Sequence, residues 1–275
     1  MARGPVAFDI ESLIGISRDA GRAILDVYER GFEVAEKDDK SPLTEADLAS
    51  HRIIVEALGA LTPDIPVLSE ESADIPYATR ASWERYWLVD PLDGTKEFVK
   101  RNGEFTVNVA LVDDGVPVLG VVHVPVSGAV YAGEAGRGAF LEDGRGQRHA
   151  VTVSGRRHLP LRVVGSRSHA GASLQAFLDR LGEHELISMG SSLKLCLVAE
   201  GKADIYPRLG PTSEWDTAAA QAVVEAAGGQ VTDLELRPLR YNRKESLLNP
   251  YFLVFGDATV DWRRYLAPEP GRDEP

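Results

Sequence analysis

Apolar residues recur near the start of the chain at the spacing of one helix face, Leu13, Ile16, Ala20, Ile24 and Val27, and Gly31 stands where the stripe ends. The pattern predicts an amphipathic helix over 8–28 with a glycine stop. The charged run 37–40 reads as the tip of a hairpin or loop. A second stripe, Leu48, Ile54, Val55, Leu58 and Leu61, follows Ser41-Pro42-Leu43-Thr44-Glu45-Ala46-Asp47. Thr44 fits an N-cap there, and Asp47, three residues on, has the spacing of a capping-box acid. After Pro63 and Pro66 the period changes. Val67-Leu68 is a short strand that runs into Ser69-Glu70-Glu71-Ser72, 77–85 is a polar connection with a short helical turn, and Trp87-Leu88-Val89 ends a buried strand. Pro91 denies that strand a further ladder donor, so Asp90 and Asp93 are expected to leave the sheet together, with 96–103 following as a basic loop. Residues 105–112 alternate and are β-branched, and Asp113-Asp114-Gly115 turns them into 116–124, a hairpin signal. Residues 130–132 and 139–141 make another pair. The glycines between them, Gly133, Gly136 and Gly138, imitate a nucleotide-binding loop but precede no helix, and read as a β-turn.

From about 155 the rhythm becomes that of an α/β layer. Strands are expected at 161–164, 185–189, 203–206, 230–232 and 252–255, with helices at 172–181 and 193–200. An alanine-rich helix runs from Glu214-Trp215-Asp216-Thr217 to Gly228-Gly229. Asp216 then falls in its first turn, where the helix dipole favours a carboxylate. The whole reads as α+β, with an antiparallel half at 1–155, an α/β half at 156–267 and a disordered, Pro-rich tail at 268–275.

Composition narrows the function. The 275 residues carry 42 acidic and 30 basic side chains, a formal charge of −12, which argues against a sequence-independent nucleic-acid binder. A phosphorylated substrate would have to be drawn in by local cations. Cys196 is the one cysteine, which excludes intramolecular disulfides and thiolate clusters, and the six histidines lack the spacing of a zinc triad. The first residues lack the apolar run of a signal peptide and no stretch approaches the length of a membrane span, so a cytoplasmic protein is expected.

Chemistry concentrates in 87–98, where Asp90, Asp93 and Thr95 stand within six residues of one another. Carboxylates so close gain nothing from burial unless a cation or a shared proton offsets their charge. Mg²⁺ suits such a site, since it takes a few carboxylate oxygens and completes its shell with water and phosphate. Gly94 and Thr95 would open the next segment with backbone N–H donors for phosphate, and Lys96, Lys100 and Arg101 add positive charge. Each acid also has an ordinary explanation. Asp90 and Asp93 could be turn formers, Asp47 a helix cap, Glu70 the start of a solvated loop and Asp216 an N-terminal acid. Their coincidence with two glycine-led phosphate seats, at 94–95 and 190–192, favours a site.

On these residues the chain resembles the inositol monophosphatase family of magnesium-dependent, lithium-sensitive phosphatases. The matching elements are Asp90-Pro91-Leu92-Asp93-Gly94-Thr95, Trp215-Asp216-Thr217-Ala218-Ala219 and Glu70 within Ser-Glu-Glu. Within the family it looks most like the bacterial 3′(2′),5′-bisphosphate nucleotidases, through Gly94-Thr95-Lys96-Glu97-Phe98, Asn102-Gly103-Glu104-Phe105-Thr106, Gly190-Ser191-Ser192-Leu193-Lys194 and Tyr206-Pro207-Arg208. The resemblance implies a layered α-β-α-β-α sandwich with metals at the junction of its halves. It implies Glu70, Asp90, the Leu92 carbonyl, Asp93 and Asp216 as ligands of two or three Mg²⁺ ions, and Asp47 with Thr95 as the pair that orients and deprotonates the attacking water. Gly94, Thr95, Gly190, Ser191, Ser192, Lys194 and Arg208 would hold phosphate and ribose, and His169 the adenosine side. The implied reaction is hydrolysis of adenosine 3′,5′-bisphosphate to AMP and phosphate, relieving product inhibition in sulfate assimilation. The alternatives are an inositol monophosphatase or broader sugar phosphatase, and a non-catalytic nucleotide or metal binder. A homodimer and a peripheral position at the inner membrane face are also compatible with the resemblance.

Overall fold

The computed structural model describes residues 9–36, 42–155, 159–166 and 172–266. The tail at 268–275, the charged tip 37–40 and His169 lie outside them. Helix α1 (Ile10–Arg30) begins at Asp9, whose carboxylate accepts the Ser12 N–H at 2.9 Å, and stops at Gly31. A two-strand ribbon, β1 (Ala35–Glu36) with β2 (Pro42–Leu43), leads to α2 (Glu45–Leu61), which carries the capping box that the sequence predicts. Next come β3 (Val67–Ser69), a 3₁₀ turn (Glu70–Ser72), α3 (Tyr77–Arg80), β4 (Arg85–Asp93) and α4 (Thr95–Val99). The meander β5 (Thr106–Asp113), β6 (Val116–Val124), β7 (Ala129–Glu134), β8 (Gly138–Glu142) and β9 (Arg148–Val151) completes a seven-stranded sheet in the order β3-β4-β5-β6-β7-β8-β9, parallel only at β3/β4. The second half comprises β10 (Leu161–Ser166), α5 (Ala172–Leu181), β11 (His184–Met189), α6 (Leu193–Ala199), β12 (Ile205–Arg208), α7 (Ala218–Ala226), β13 (Gln230–Asp233), β14 (Phe252–Phe255) and a final 3₁₀ turn (Trp262–Tyr265). Its mixed five-stranded sheet runs β11-β10-β12-β14-β13.

Strand period two sorts the apolar side chains into layers. Trp87 and Val89 of β4, with Val107 and Val109 of β5, face a core made with Leu13, Ile24, Ile54 and Leu58 of α1 and α2. Leu88, Ala110 and Val122 point the other way, into a middle core with Cys196, Ala219, Val223 and Val254. On the far side of the second sheet, Val163 and Leu253 pack against Phe177, Leu178 and Trp262. The result is helix, sheet, helix, sheet, helix, as the resemblance implies. The middle core draws on both halves of the chain. Both faces of β4 and β5 are covered, which is why they read as nearly continuous apolar runs. Among the described residues no helix is long and apolar enough to cross a membrane.

Several sequence expectations change. Strand β4 does not end at Val89; it runs through Pro91 to Asp93 on a bulge. The loop expected at 96–103 starts as helix α4, and β9 forms where none was expected. Gly133 is a strand residue, and its role is close approach: a Cβ there would lie 2.7 Å from Val223 Cα, and one on Gly120 would lie 2.1 Å from the Ala219 carbonyl oxygen. Helix α7 therefore rests on bare sheet backbone. Gly120→Ala is expected to cost about 1–3 kcal/mol, the range for overpacking, whereas Gly59→Ala, in α2 with no atom within 4 Å, should gain about 0.5–1 kcal/mol from helix propensity. Thermal or urea unfolding checks both signs; equal melting temperatures for the two variants would contradict this packing.

Candidate metal and phosphate site

The site begins with the bulge in β4. Register passes from Asp90 opposite Asn108 to Asp93 opposite Thr106, so β4 spends one more residue than β5 over this span. That absorbs Pro91, which has no N–H to give, while its carbonyl is held by Ser50 Oγ of α2 at 2.7 Å. The Leu92 N–H donates to Asp90 Oδ1 at 3.0 Å. Gly94, at φ +93°, then swings the chain into α4, and a Cβ there would press on the Glu104 carbonyl at 3.1 Å. Asp93 thus keeps its place at the sheet edge beside Asp90, instead of leaving with the turn.

Asp216 approaches from the second half. It does not lie in the first turn of a helix: α7 starts at Ala218 with Thr217 at its cap, and Asp216 belongs to the turn before it, where its Oδ2 accepts the Ser213 N–H at 2.8 Å. Carboxylate oxygens of Asp90, Asp93 and Asp216 come within 4.8 Å of one another. Asp90 is buried, while Asp93 and Asp216 show part of their surface to an adjoining cavity. Glu70, from the 3₁₀ turn after β3, faces Asp90 closely enough to disfavour its charge.

Enclosure and mutual repulsion push these acids away from ionisation. Burial, then Glu70, Asp93 and Asp216, raise Asp90 well above the usual carboxylate range. Burial, then Asp93 and Glu70, push Asp216 up to about 8. Asp93 is raised by burial and held back by Lys194 and by hydrogen bonds from Ser192 and Asn108. An all-oxygen, mutually repelling donor set is what a hard divalent cation requires, so these residues fit Mg²⁺ or Mn²⁺ chemistry.

Asp47 serves two purposes at once. Its Oδ2 accepts the Thr44 N–H at 2.8 Å and the Thr44 hydroxyl at 2.7 Å, which is the capping role. Its Oδ1 accepts the Thr95 hydroxyl at 3.3 Å. Thr95 Oγ1 also lies 3.4 Å from the Leu92 carbonyl, which brings that carbonyl to the site. The capping and functional readings of Asp47 therefore do not compete, since each takes a different oxygen.

A cavity of about 260 Å³ opens from the carboxylates. Asp93, Gly94, Thr95 and Lys96 line it together with Gly190, Ser191, Ser192, Lys194 and Arg208, and with Tyr206 and Phe252. Lys194 is buried, donates Nζ to the Ser191 carbonyl, and stands 5.7 Å over the Tyr206 ring; burial lowers its pKa. Arg208 is braced by the Thr212 hydroxyl and by the Pro211 carbonyl at 2.6 Å. Of the three cations at 96–101, Lys96 lines the cavity, while Arg101 stacks on Tyr28 and Phe32 at 4.8 and 5.5 Å.

Sequence reasoning did not single out Ser50 or Asn108, and it noted Glu104 only within the motif Asn102-Gly103-Glu104-Phe105-Thr106, with no role. Asn108 left a signal: a carboxamide within Thr106-Val107-Asn108-Val109-Ala110-Leu111, a strand with both faces covered, needs a polar partner. Glu104 Oε2 accepts the Gly190 N–H at 2.8 Å across 86 positions, and Ser50 reaches Pro91 across 41, contacts that no local pattern encodes.

With Asp216 pushed up to about 8, cation binding by this cluster is expected to displace protons. Affinity for Mn²⁺ or Mg²⁺ is expected to rise from pH 6 to pH 8.5, and the calorimetric enthalpy to depend on the buffer's own ionisation enthalpy. Because the folded pKa lies above the ordinary 3.8, the stability this acid contributes is fully present below that value and is lost as pH rises through about 8. The metal-free protein should accordingly weaken over that window, and added cation should restore it. Affinity that is flat with pH, with no buffer dependence, would contradict the shifted cluster.

The model of the inositol monophosphatase family matches residues 9–257. The 3′(2′),5′-bisphosphate nucleotidase CysQ of Escherichia coli K12 is 53% identical over 248 residues, covering 89% of this chain and 98% of that protein. Among solved structures, CysQ from Bacteroides thetaiotaomicron, described as a bacterial member of the inositol monophosphatase family, superposes with a TM-score of 0.79 at 42% identity, covering 92% of this chain and 99% of that one. The IMPase of Thermotoga maritima gives 0.76 at 26% identity, covering 93% of this chain and 94% of that one.

Proposed function

The chain belongs to the inositol monophosphatase family, and from that premise we propose that it is a 3′(2′),5′-bisphosphate nucleotidase. On this reading it is a phosphoric monoester hydrolase that converts adenosine 3′,5′-bisphosphate to AMP and phosphate. Glu70, Asp90, the Leu92 carbonyl, Asp93 and Asp216 would hold two or three Mg²⁺ ions. When bound, these ions neutralise charge on the phosphoryl oxygens and acidify the attacking water.

The chain's own residues supply the rest. Thr95 directs its proton to Asp47 Oδ1 and so leaves its oxygen lone pairs for the water, which fixes the water's orientation and gives its proton a route to a carboxylate. Asp47 cannot swing away, because Thr44 holds its other oxygen twice. The Gly94 and Thr95 N–H groups stand at the start of α4 without intrahelical acceptors and suit the transferring phosphoryl group. In-line attack on phosphorus needs positioning and charge more than covalent chemistry, which matches a wall of carboxylates, one hydroxyl and backbone donors.

The observation that carries the substrate assignment is Lys194, a buried cation that lines the cavity with Arg208 and stands close enough to Asp93 to offset part of its charge. A second anionic group on the substrate gives these cations a partner, and an inositol monophosphate has none to offer. The hydrogen bond from Thr95 to Asp47 favours hydrolysis over mere nucleotide binding, since sensing needs no water activation. A role in sulfate assimilation and nucleotide recycling, a cytoplasmic location with a peripheral position at the inner membrane face, and a homodimer belong to the same proposal, as does His169 on the adenosine side.

Phosphate release from adenosine 3′,5′-bisphosphate and from inositol 1-phosphate, compared at matched subsaturating concentration with Mg²⁺, tests the reading. A large preference for the nucleotide is expected. Lys194→Ala should lower kcat/KM for the nucleotide by about tenfold or more, the worth of a charge-assisted bond, with little change for the inositol ester. Preference for inositol phosphate would overturn the substrate while keeping the metal chemistry. Asp93→Asn should abolish turnover of both with the fold intact, and near-normal activity would sink the metal assignment.

A further inference from the structure

Behind the carboxylates runs a closed set of hydrogen bonds that the proposed chemistry does not use. Asn108, buried on β5, donates Nδ2 to Asp93 Oδ2 at 3.3 Å. Its Oδ1 accepts the Ser192 hydroxyl at 2.9 Å. The Ser192 hydroxyl has one hydrogen, spent on Asn108, so Thr106 Oγ1, 2.9 Å away, is the donor to it. With that hydroxyl aimed at its oxygen, the Asn108 amide has one orientation and must turn its nitrogen to Asp93. The Ser192 backbone N–H donates to the same Asp93 Oδ2 at 2.6 Å. Both donors thus converge on one carboxylate oxygen, and Asp93 Oδ1 takes part in none of these bonds.

We propose that Asn108 and Ser192 clamp Asp93, assigning Oδ2 to the protein and reserving Oδ1 for the divalent cation. This rests on reading Asp93 as a cation ligand. A carboxylate free to rotate in the cavity can turn either edge, or both oxygens, toward an ion; two donors on one oxygen remove that freedom and fix a single approach. The clamp also changes what the Gly190–Ser192 turn does. Its Ser192 N–H, expected from sequence to meet phosphate, is committed to the metal ligand, and its Gly190 N–H is committed to Glu104 Oε2 at 2.8 Å. One turn therefore shapes the cation site and, through Ser191, the wall of the substrate cavity. Asn108 is a positioning residue: it acts on the cation through Asp93 and touches neither substrate nor the reacting atoms.

Calorimetric titration of the substrate-free full chain with Mn²⁺ tests the clamp without relying on turnover. Asn108→Leu keeps the size and removes the donor, and should weaken Mn²⁺ binding by about tenfold to a hundredfold, the usual cost of losing such an outer partner. Ser192→Ala keeps the N–H and frees the amide, and should weaken binding severalfold. Leu178→Ala, in the far core beside Phe177 and Trp262, serves as the structural control, expected to lower the melting temperature while leaving Mn²⁺ affinity in place. Wild-type affinity in both clamp variants, or in Ser192→Ala should Asn108→Leu not fold, would overturn the proposal, and so would an equal loss in Leu178→Ala. A wild-type chain that binds no Mn²⁺ would instead remove Asp93 as a ligand, and the clamp with it.

Discussion

Repulsion among Asp90, Asp93 and Asp216 is the force this architecture holds in check. Their oxygens approach within 4.8 Å in an enclosed site, and no local charge fully balances them. Lys194 offsets part of the charge at Asp93, and protons or a cation must supply the remainder. Each acid is consequently tied down by a separate device. The Leu92 N–H holds Asp90, the Ser192 N–H and the Asn108 amide hold Asp93, and the Ser213 N–H holds Asp216.

The layers exist on this view to bring two unrelated stretches of backbone to one point. The first sheet delivers Asp90 and Asp93 through a bulge whose proline carbonyl is anchored to α2. Asp216 arrives on the turn before α7, a helix that can rest on the sheet because Gly120 and Gly133 present bare backbone to it. A buried polar network stiffens that turn from behind. Asn249 Nδ2 donates to the Ser213 carbonyl and to Thr217 Oγ1, each at 2.9 Å, and the Asn242 N–H donates to Glu214 Oε2 at 2.8 Å. Burial pushes Glu214 up to about 7, held back by the Asn242 N–H.

Much of this was legible in the sequence because several signals were local. The stripe of α1, the Thr44 capping box, the hairpin turning at Asp113-Asp114-Gly115 and the two acidic motifs each sit within about twenty residues, and the layered fold followed from the family resemblance that the acidic motifs carry. What was misread depends on partners far along the chain. Pro91 looks like a strand terminator until Ser50 and a one-residue register shift accommodate it. Gly133 looks like a turn residue until α7 is laid across it. Ser192 looks like a phosphate donor until Asp93, 99 positions away, takes its N–H. In each case the side chain or backbone group was identified correctly, and the competing partner was supplied by tertiary contact.

On the proposed reading, the three aspartates converge to hold a divalent cation. Crystals of the protein grown with Mn²⁺, with diffraction recorded near the manganese absorption edge, locate the ion directly. An anomalous peak is expected in contact with Asp90, Asp93 and Asp216, with Asp93 ligating through Oδ1, the oxygen that Asn108 and Ser192 do not bond. A map with no peak among these carboxylates, or with Mn²⁺ bound only elsewhere on the molecule, would contradict it.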